Sequence, residues 1–208
     1  QQILPAGTLI GPAETSLIAT MGHPEAETIA RPTIAVISTG DELVQPGADL
    51  SAGQIYESNS YGLASLVEKM GATAKRFDVV HDNIEGLRQT LDEAASSCDA
   101  ILTSGGVSMG EWDLVRRLME DEGETLFWKV LIRPGGPPLC GSWKDTPLFG
   151  LPGNPVSSHV VFLSLVAPWL ARCMGADSEL GPRLTDRVRV RLSAVSYTHL
   201  TLPTNREV

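Results

Sequence analysis

Apolar and polar positions along the chain alternate between short, continuously buried runs and amphipathic stretches. Residues 33–38, "TIAVIS", are apolar and β-branched throughout, the mark of a strand covered on both faces. Leu63, Leu66, Val67 and Met70 follow at helical spacing, behind a cap at Ser58 or Asn59 and ahead of a stop at Gly71. A strand is expected near 73–80, then a helix capped by Asp82 or Asn83 with Ile84, Leu87, Leu91, Ala94 and Ala95 on one stripe. Asp99 to Thr103 reads as the next strand. A helix from about Asp113 to Asp121 then turns Leu114, Val115, Leu118 and Met119 inward and stops at Gly123. Strands at "LFWKVLI" and "PLFGL" and a helix from Pro155 to about Arg172 close the series.

Strands that alternate with helices of this length form βαβ units. The predicted fold class is therefore α/β, a three-layer α/β/α sandwich with a mostly parallel sheet, over residues 31–174. Residues 1–30 carry turn signals and scattered apolar residues without a core of their own, and read as a connector from a preceding region. Val188, Val190 and Leu192 alternate with arginines, so residues 175–195 are expected to open a further β module. Residues 196–208 break that alternation, resemble a translated sequencing-adaptor tail and are expected to be non-native.

Composition narrows the classes of function. A chain of 208 residues with 42% hydrophobic content can bury one good core. Twenty-five acids against 16 bases give a formal net charge of -9, with no basic block, which argues against a nucleic-acid partner. An anionic ligand would have to be met by a local cluster of cations. Cys98, Cys140 and Cys173 are far apart and lack histidines at metal spacing, so free thiols in a reducing compartment are expected rather than zinc or a disulfide frame. The opening residues lack a signal-peptide pattern, and "VVFLSLVAPWL" is too short to span a bilayer. The expected location is cytoplasmic, with no membrane partner.

In an open parallel sheet, ligands bind beyond the carboxyl ends of the strands, so the residues just after each strand carry the candidate chemistry. These are Thr39, Gly40 and Glu42 after the first strand and Asp82 after the second. Ser104, Gly105, Gly106, Ser108 and Asp113 follow the third, and Pro152, Gly153, Asn154, Pro155 and Ser157 follow the last. Asp82 and Asp113 each have a plain reading as helix caps. Their convergence with Glu42 on one rim is costly unless a cation or a reaction needs it, and magnesium bound through carboxylates and a substrate phosphate would meet that need. Gly105-Gly106 ahead of a helix suits the close approach of a phosphate. "GLPGNPVS" provides a rigid turn, a cap at Asn154 and a hydroxyl at Ser157, but no Walker lysine, so a nucleotide triphosphatase is not expected. Alternation in "WKVLIR" puts Lys129 and Arg133 on one face of an expected buried strand, where their partner is either a structural acid such as Asp113 or an anionic ligand. His159 and Cys140 are not taken as catalytic, since no Ser-His-Asp order accompanies them.

Together "STGDEL", "GQIYESNSY", "TSGGVSMGEWD", "FWKVLIRPGGPP" and "GLPGNPVS" resemble the molybdopterin molybdenumtransferases, the MoeA family that includes the gephyrin E domain. The resemblance spans about residues 1–195. It implies insertion of molybdate into adenylylated molybdopterin, with Mg2+ required and AMP released, in an elongated homodimer fed by an adenylyltransferase partner. It also implies catalytic roles for Glu42, Asp82, Asp113 and Lys129, with the three carboxylates as the metal set. Thr39, Gly40, the Ser104 to Ser108 loop, Arg133 and the segment Pro152 to Ser157 would contact substrate. Two departures stand out. Gly136 occupies a position where relatives carry a lysine near molybdate, and the family's amino-terminal domains and most of its carboxyl-terminal β domain are missing. The alternatives are the sister adenylyltransferase class, whose glycine loops differ, and a non-catalytic molybdopterin-binding or scaffold module.

Overall fold

The fold is described from a computed structural model that covers residues 3–107 and 113–175. Its centre is a six-stranded sheet built from β1 (Thr33–Ser38), β4 (Thr73–Arg76), β5 (Ala100–Ser104), β6 (Glu124–Trp128), β7 (Leu139–Trp143) and β8 (Thr146–Leu151). The order is β4-β1-β5-β8-β7-β6. The first four strands are mutually parallel, and β7 and β6 form an antiparallel ribbon on one side. The mostly parallel sheet expected from the pattern is thus present, with an antiparallel addition.

Side chains of the central strands alternate between two cores, because successive residues of a strand face opposite sides. Ile34, Val36 and Leu102 point to the face covered by α2 (Asn59–Lys69) and α5 (Pro155–Cys173). Ala35, Ile37 and Ile101 point to the face covered by α3 (Ile84–Ser97) and α4 (Leu114–Asp121). All six side chains are essentially inaccessible to solvent, which explains why β1 and β5 read as unbroken apolar runs. The amphipathic stripes fall where expected, with Leu63 and Val67 buried on α2, Leu87 and Leu91 on α3, and Val115, Leu118 and Met119 on α4.

Helix α5 is long and apolar enough to cross a membrane by length and composition, yet Val161, Phe162, Val166, Ala167 and Leu170 are core residues of this domain. Among its buried positions, Ser158, Phe162, Val166 and Leu170 stand four residues apart, a longer period than the 3.6 of an α-helix. A π-helical turn at Phe162–Val166 absorbs the difference and brings the chain to Pro168.

Three features depart from the sequence reading. The strand read through "LFWKVLI" ends at Trp128, because Lys129 takes a left-handed conformation at φ 71°. The strand β7 (Leu139–Trp143) goes unread in the sequence. The loop after β1 also carries β2 (Leu43–Val44) and β3 (Ile55–Tyr56), a small parallel pair outside the main sheet. In the amino-terminal segment, α1 (Pro12–Thr20) buries no residue. The β module expected over 175–195 lies, apart from Gly175, outside the described residues, as does the 196–208 tail.

Candidate active site

From β1 the chain moves outward to β4 and later returns on the opposite side to β5, so the carboxyl ends of β1 and β5 flank a topological switch point. Backbone bonds pull the turns there together. Thr39 N donates to Ser104 O at 3.0 Å, Gly40 N to Val80 O at 3.2 Å, and Gly105 N to Leu151 O at 3.1 Å. Gly105 and Gly106 have φ of 96° and 67°. A Cβ on Gly105 would lie 2.7 Å from Thr39 O, and one on Gly106 would lie 2.9 Å from Val115 Cγ2. The glycine pair is therefore required for the β5 turn to press against the β1 turn, whatever else it does.

Beyond β8, the chain turns through Pro152, Gly153 and Asn154 into α5. Asn154 caps this helix, its Oδ1 accepting from Ser157 N at 3.1 Å, and Pro155 takes the first helical position. Ser158 Oγ donates to Pro152 O, which ties the turn to the helix behind it.

These turns enclose a cleft of about 560 Å3. Thr39, Gly40, Glu42, Asp82, Ser104, Gly105, Gly106, Asp113, Pro152, Gly153, Asn154, Pro155 and Ser157 all line it. Ser108 lies outside the described residues. Lys129 and Arg133 do not line the cleft. With β6 ending at Trp128, they are exposed on the loop that follows rather than aligned on a buried strand, and Lys129 Nζ lies 3.9 Å from the centroid of the Trp128 ring. That loop does reach the cleft, at Pro137. Gly136 beside it is not in a positive-φ conformation, and a Cβ there would meet nothing closer than Ile132 O at 3.4 Å.

The two carboxylates with a plain reading as caps are not acting as caps. Asn83 caps α3 by accepting from Glu85 N at 3.0 Å, which leaves Asp82 one residue outside the helix. Asp113 sits at the capping position of α4 but makes no side-chain cap bond. Asp82 has its carboxyl pKa raised, first by burial and then by the charges of Asp41 and Glu42. Its backbone N donates to Asp41 Oδ1 at 2.9 Å, and His81 Nδ1 lies 3.4 Å from the same oxygen.

Among the described residues, no three of His, Cys, Asp and Glu stand close enough to hold a metal ion by themselves. Glu42, Asp82 and Asp113 line one cleft without forming a preformed three-carboxylate ligand set. This donor set suits a hard cation that takes one or two carboxylates and completes its shell with water and substrate oxygens, as magnesium does.

Two residues of "GQIYESNSY" stand at the site without having been read as candidates. Glu57, 1% exposed, accepts from Ser38 Oγ at 2.9 Å, Ser60 N at 2.7 Å and Ser60 Oγ at 2.6 Å, and pairs with Arg76 at 3.8 Å. It fastens the end of β1 to the start of α2. Asn59 bridges Ser104 and Gly153 across the floor of the cleft. The available signal was an acid and an amide immediately before a helix, which reads only as capping. Cys98, Cys140 and Cys173 are free thiols, and burial pushes the Cys140 and Cys173 thiols up.

Residues 35–172 match the family model described as "Probable molybdopterin binding domain". A molybdopterin molybdenumtransferase from Haemophilus influenzae is 37% identical over 173 residues, covering 83% of this chain and 43% of that protein. Molybdopterin molybdenumtransferase 2 from Mycobacterium tuberculosis is 38% identical over 208 residues, covering 97% of this chain and 49% of that protein. The chain thus spans less than half the length of these curated relatives. A solved molybdopterin biosynthesis MoeA protein from Pyrococcus horikoshii superposes with a TM-score of 0.74 at 35% identity, covering 82% of this chain and 42% of that one. A molybdenum cofactor biosynthesis protein B, at 13% identity and a TM-score of 0.53, shares the fold alone.

Proposed function

The chain belongs to the family of molybdopterin-binding domains, and from that premise we propose that it is the substrate-binding core of a molybdopterin molybdenumtransferase. The reaction binds the molybdenum of molybdate to adenylylated molybdopterin, with displaced molybdate oxygens leaving as water, and water cleaves the phosphoanhydride, releasing AMP and molybdenum cofactor. The observation that carries this reading is the convergence of Glu42, Asp82 and Asp113 with the Gly105-Gly106 turn and the Pro152 to Ser157 segment on one cleft.

In this reading, the glycine turn and the start of α5 receive the phosphate side of the substrate, where closely packed backbone leaves room for anionic oxygens. Pro152 and Pro155 hold the entry to α5 rigid, with Ser157 offering a hydroxyl. Magnesium, when bound, supplies positive charge to the phosphoanhydride. Glu42, Asp82 and Asp113 are the residues that would hold it, one or two at a time. Thr39 and Gly40 shape the floor. Lys129 and Arg133 act from the loop beside the cleft, raising the local concentration of anionic substrate against a net charge of -9. A glycine at 136 lowers the affinity for molybdate relative to a lysine there. The complete enzyme works as a cytosolic homodimer that supplies the remaining walls, downstream of an adenylyltransferase.

The test is AMP release from adenylylated molybdopterin by the complete enzyme, with molybdate and magnesium, for Asp113 intact and for Asp113→Asn. The expected loss in rate is about 100-fold or more, the scale at which positioned acid-base or charge-stabilising groups act. Equal rates would reduce Asp113 to the residue that precedes its helix.

A further inference from the structure

Asn59, the first residue of α2, is bonded to two of the turns that build the cleft. Its Nδ2 donates to Gly153 O at 2.7 Å and to Ser104 Oγ at 2.7 Å. A backbone carbonyl can only accept, so it is the amide nitrogen and not the amide oxygen that faces Gly153. The second bond is fixed by the same fact. Both amide hydrogens are engaged, and Ser104 Oγ is the acceptor.

Two consequences follow at the level of single atoms. Asn59 Oδ1 is left buried with no hydrogen-bond partner. The opposite orientation, which would offer that oxygen to the Ser104 hydroxyl, would set two carbonyl oxygens against each other at Gly153. The orphaned acceptor therefore records how firmly the amide is oriented. Ser104, 2% exposed and lining the cleft, has its oxygen engaged as an acceptor, so its own hydrogen points away from Asn59. Among the described residues, Ser104 Oγ donates to no group.

We infer that Asn59 is a positioning residue that steers the Ser104 hydroxyl hydrogen away from itself and toward an anionic oxygen of the bound ligand, a phosphate or phosphoanhydride oxygen. The identity of that ligand rests on the molybdopterin reading above; the direction of the hydrogen bonds does not. A hydroxyl free to rotate would serve donors and acceptors alike. One with a lone pair engaged by an amide keeps its hydrogen on the side away from that amide, where a ligand acceptor can receive it.

The experiment is a double-mutant cycle on this chain. Titration calorimetry with adenylylated molybdopterin compares the unaltered protein, Asn59→Ala, Ser104→Ala and the double variant, with thermal unfolding as the check on folding. Each single change is expected to weaken binding roughly tenfold, the scale of a lost hydrogen bond to a charged group. The double variant should bind no more weakly than Ser104→Ala, because Asn59 has nothing to orient once the hydroxyl is gone. An equal further loss from Asn59→Ala in both backgrounds would make Asn59 merely structural and overturn the inference. Unchanged binding in Ser104→Ala would also overturn it and leave the molybdopterin reading standing, whereas no binding by the unaltered protein would overturn both.

A second measurement needs no Asn59 variant and no ligand. Both side-chain amide protons of Asn59 should exchange slowly with solvent by nuclear magnetic resonance, and one should become fast in Ser104→Ala. Two fast protons in the unaltered protein would overturn the inference.

Discussion

The parallel half of the sheet and the antiparallel ribbon attached to it obey different rules, although they share a backbone network. In the parallel half, β1 and β5 are enclosed by helices on both faces, and their side chains are buried from Ile34 to Ser38 and from Ala100 to Ser104. In the ribbon, β6 is an exposed edge in which Leu126 is 72% exposed, and the loop that follows keeps Lys129 and Arg133 in solvent. Charged residues that alternate with apolar ones can be aligned on a buried face only where the strand persists and is covered. β6 fails on both counts, and it forms one edge of the sheet while the parallel strand β4 forms the other.

The largest effect that would sharpen this contrast is on stability. Leu102→Ala in β5 removes a fully buried side chain and is expected to cost about 2–5 kcal/mol in chemical denaturation. Leu126→Ala in β6 should change stability by no more than about 0.5 kcal/mol. Similar losses at both positions would mean that the ribbon is covered in solution and would break the comparison.

A smaller effect concerns the rim. The folded protein holds the Asp82 proton more tightly than the unfolded chain does, because burial and the charges of Asp41 and Glu42 raise its pKa. Ionisation of Asp82 therefore opposes folding. The penalty is absent at pH values below the usual carboxylate range and fully developed above the raised pKa. Asp82→Asn should raise the thermal midpoint at pH 7, and the gain should vanish as the pH falls through the carboxylate range. Magnesium should stabilise the unaltered protein more than the variant. A destabilised Asp82→Asn at pH 7 would show that this carboxylate is satisfied within the fold.

The smallest effect lies on the ribbon side. If Lys129 and Arg133 act at a distance from the loop, replacing both with Ala should weaken binding of an anionic ligand a few-fold at low ionic strength. The difference should be lost at about 0.5 M salt, where screening shortens the reach of exposed charges to a few ångströms. A loss that persists in high salt would mean direct contact and would erase the distinction between cleft and loop.

The parallel half was legible in the sequence because burial on both faces forces its strands into unbroken apolar runs, and the helices between them carry clean stripes. The rim followed from position alone, since residues that end parallel strands gather on one side. The ribbon was harder to read. "LFWKVLI" alternates as a strand would, but the left-handed backbone at Lys129 is set by the hairpin-like bonds of its loop, where Lys129 N donates to Pro138 O and Val130 N to Gly136 O. β7, "LCGSW", contains a glycine that a strand pattern would not favour. A Cβ at Gly141 would lie 2.0 Å from Glu124 O, so the close approach of β6 demands it. Glu57 and Asn59 escaped notice because their importance depends on partners 19 to 94 residues away, a distance that no local pattern records.

The π-helical turn at Phe162–Val166 has a consequence at the far end of its helix. One extra residue within a helical turn rotates everything beyond it by about 100° relative to a regular helix. That turn therefore acts as a dial for the exit of the domain: it sets which way the chain points as it leaves Gly175. A relative with one residue fewer there could keep every contact of the cleft and still send its next segment in a different direction.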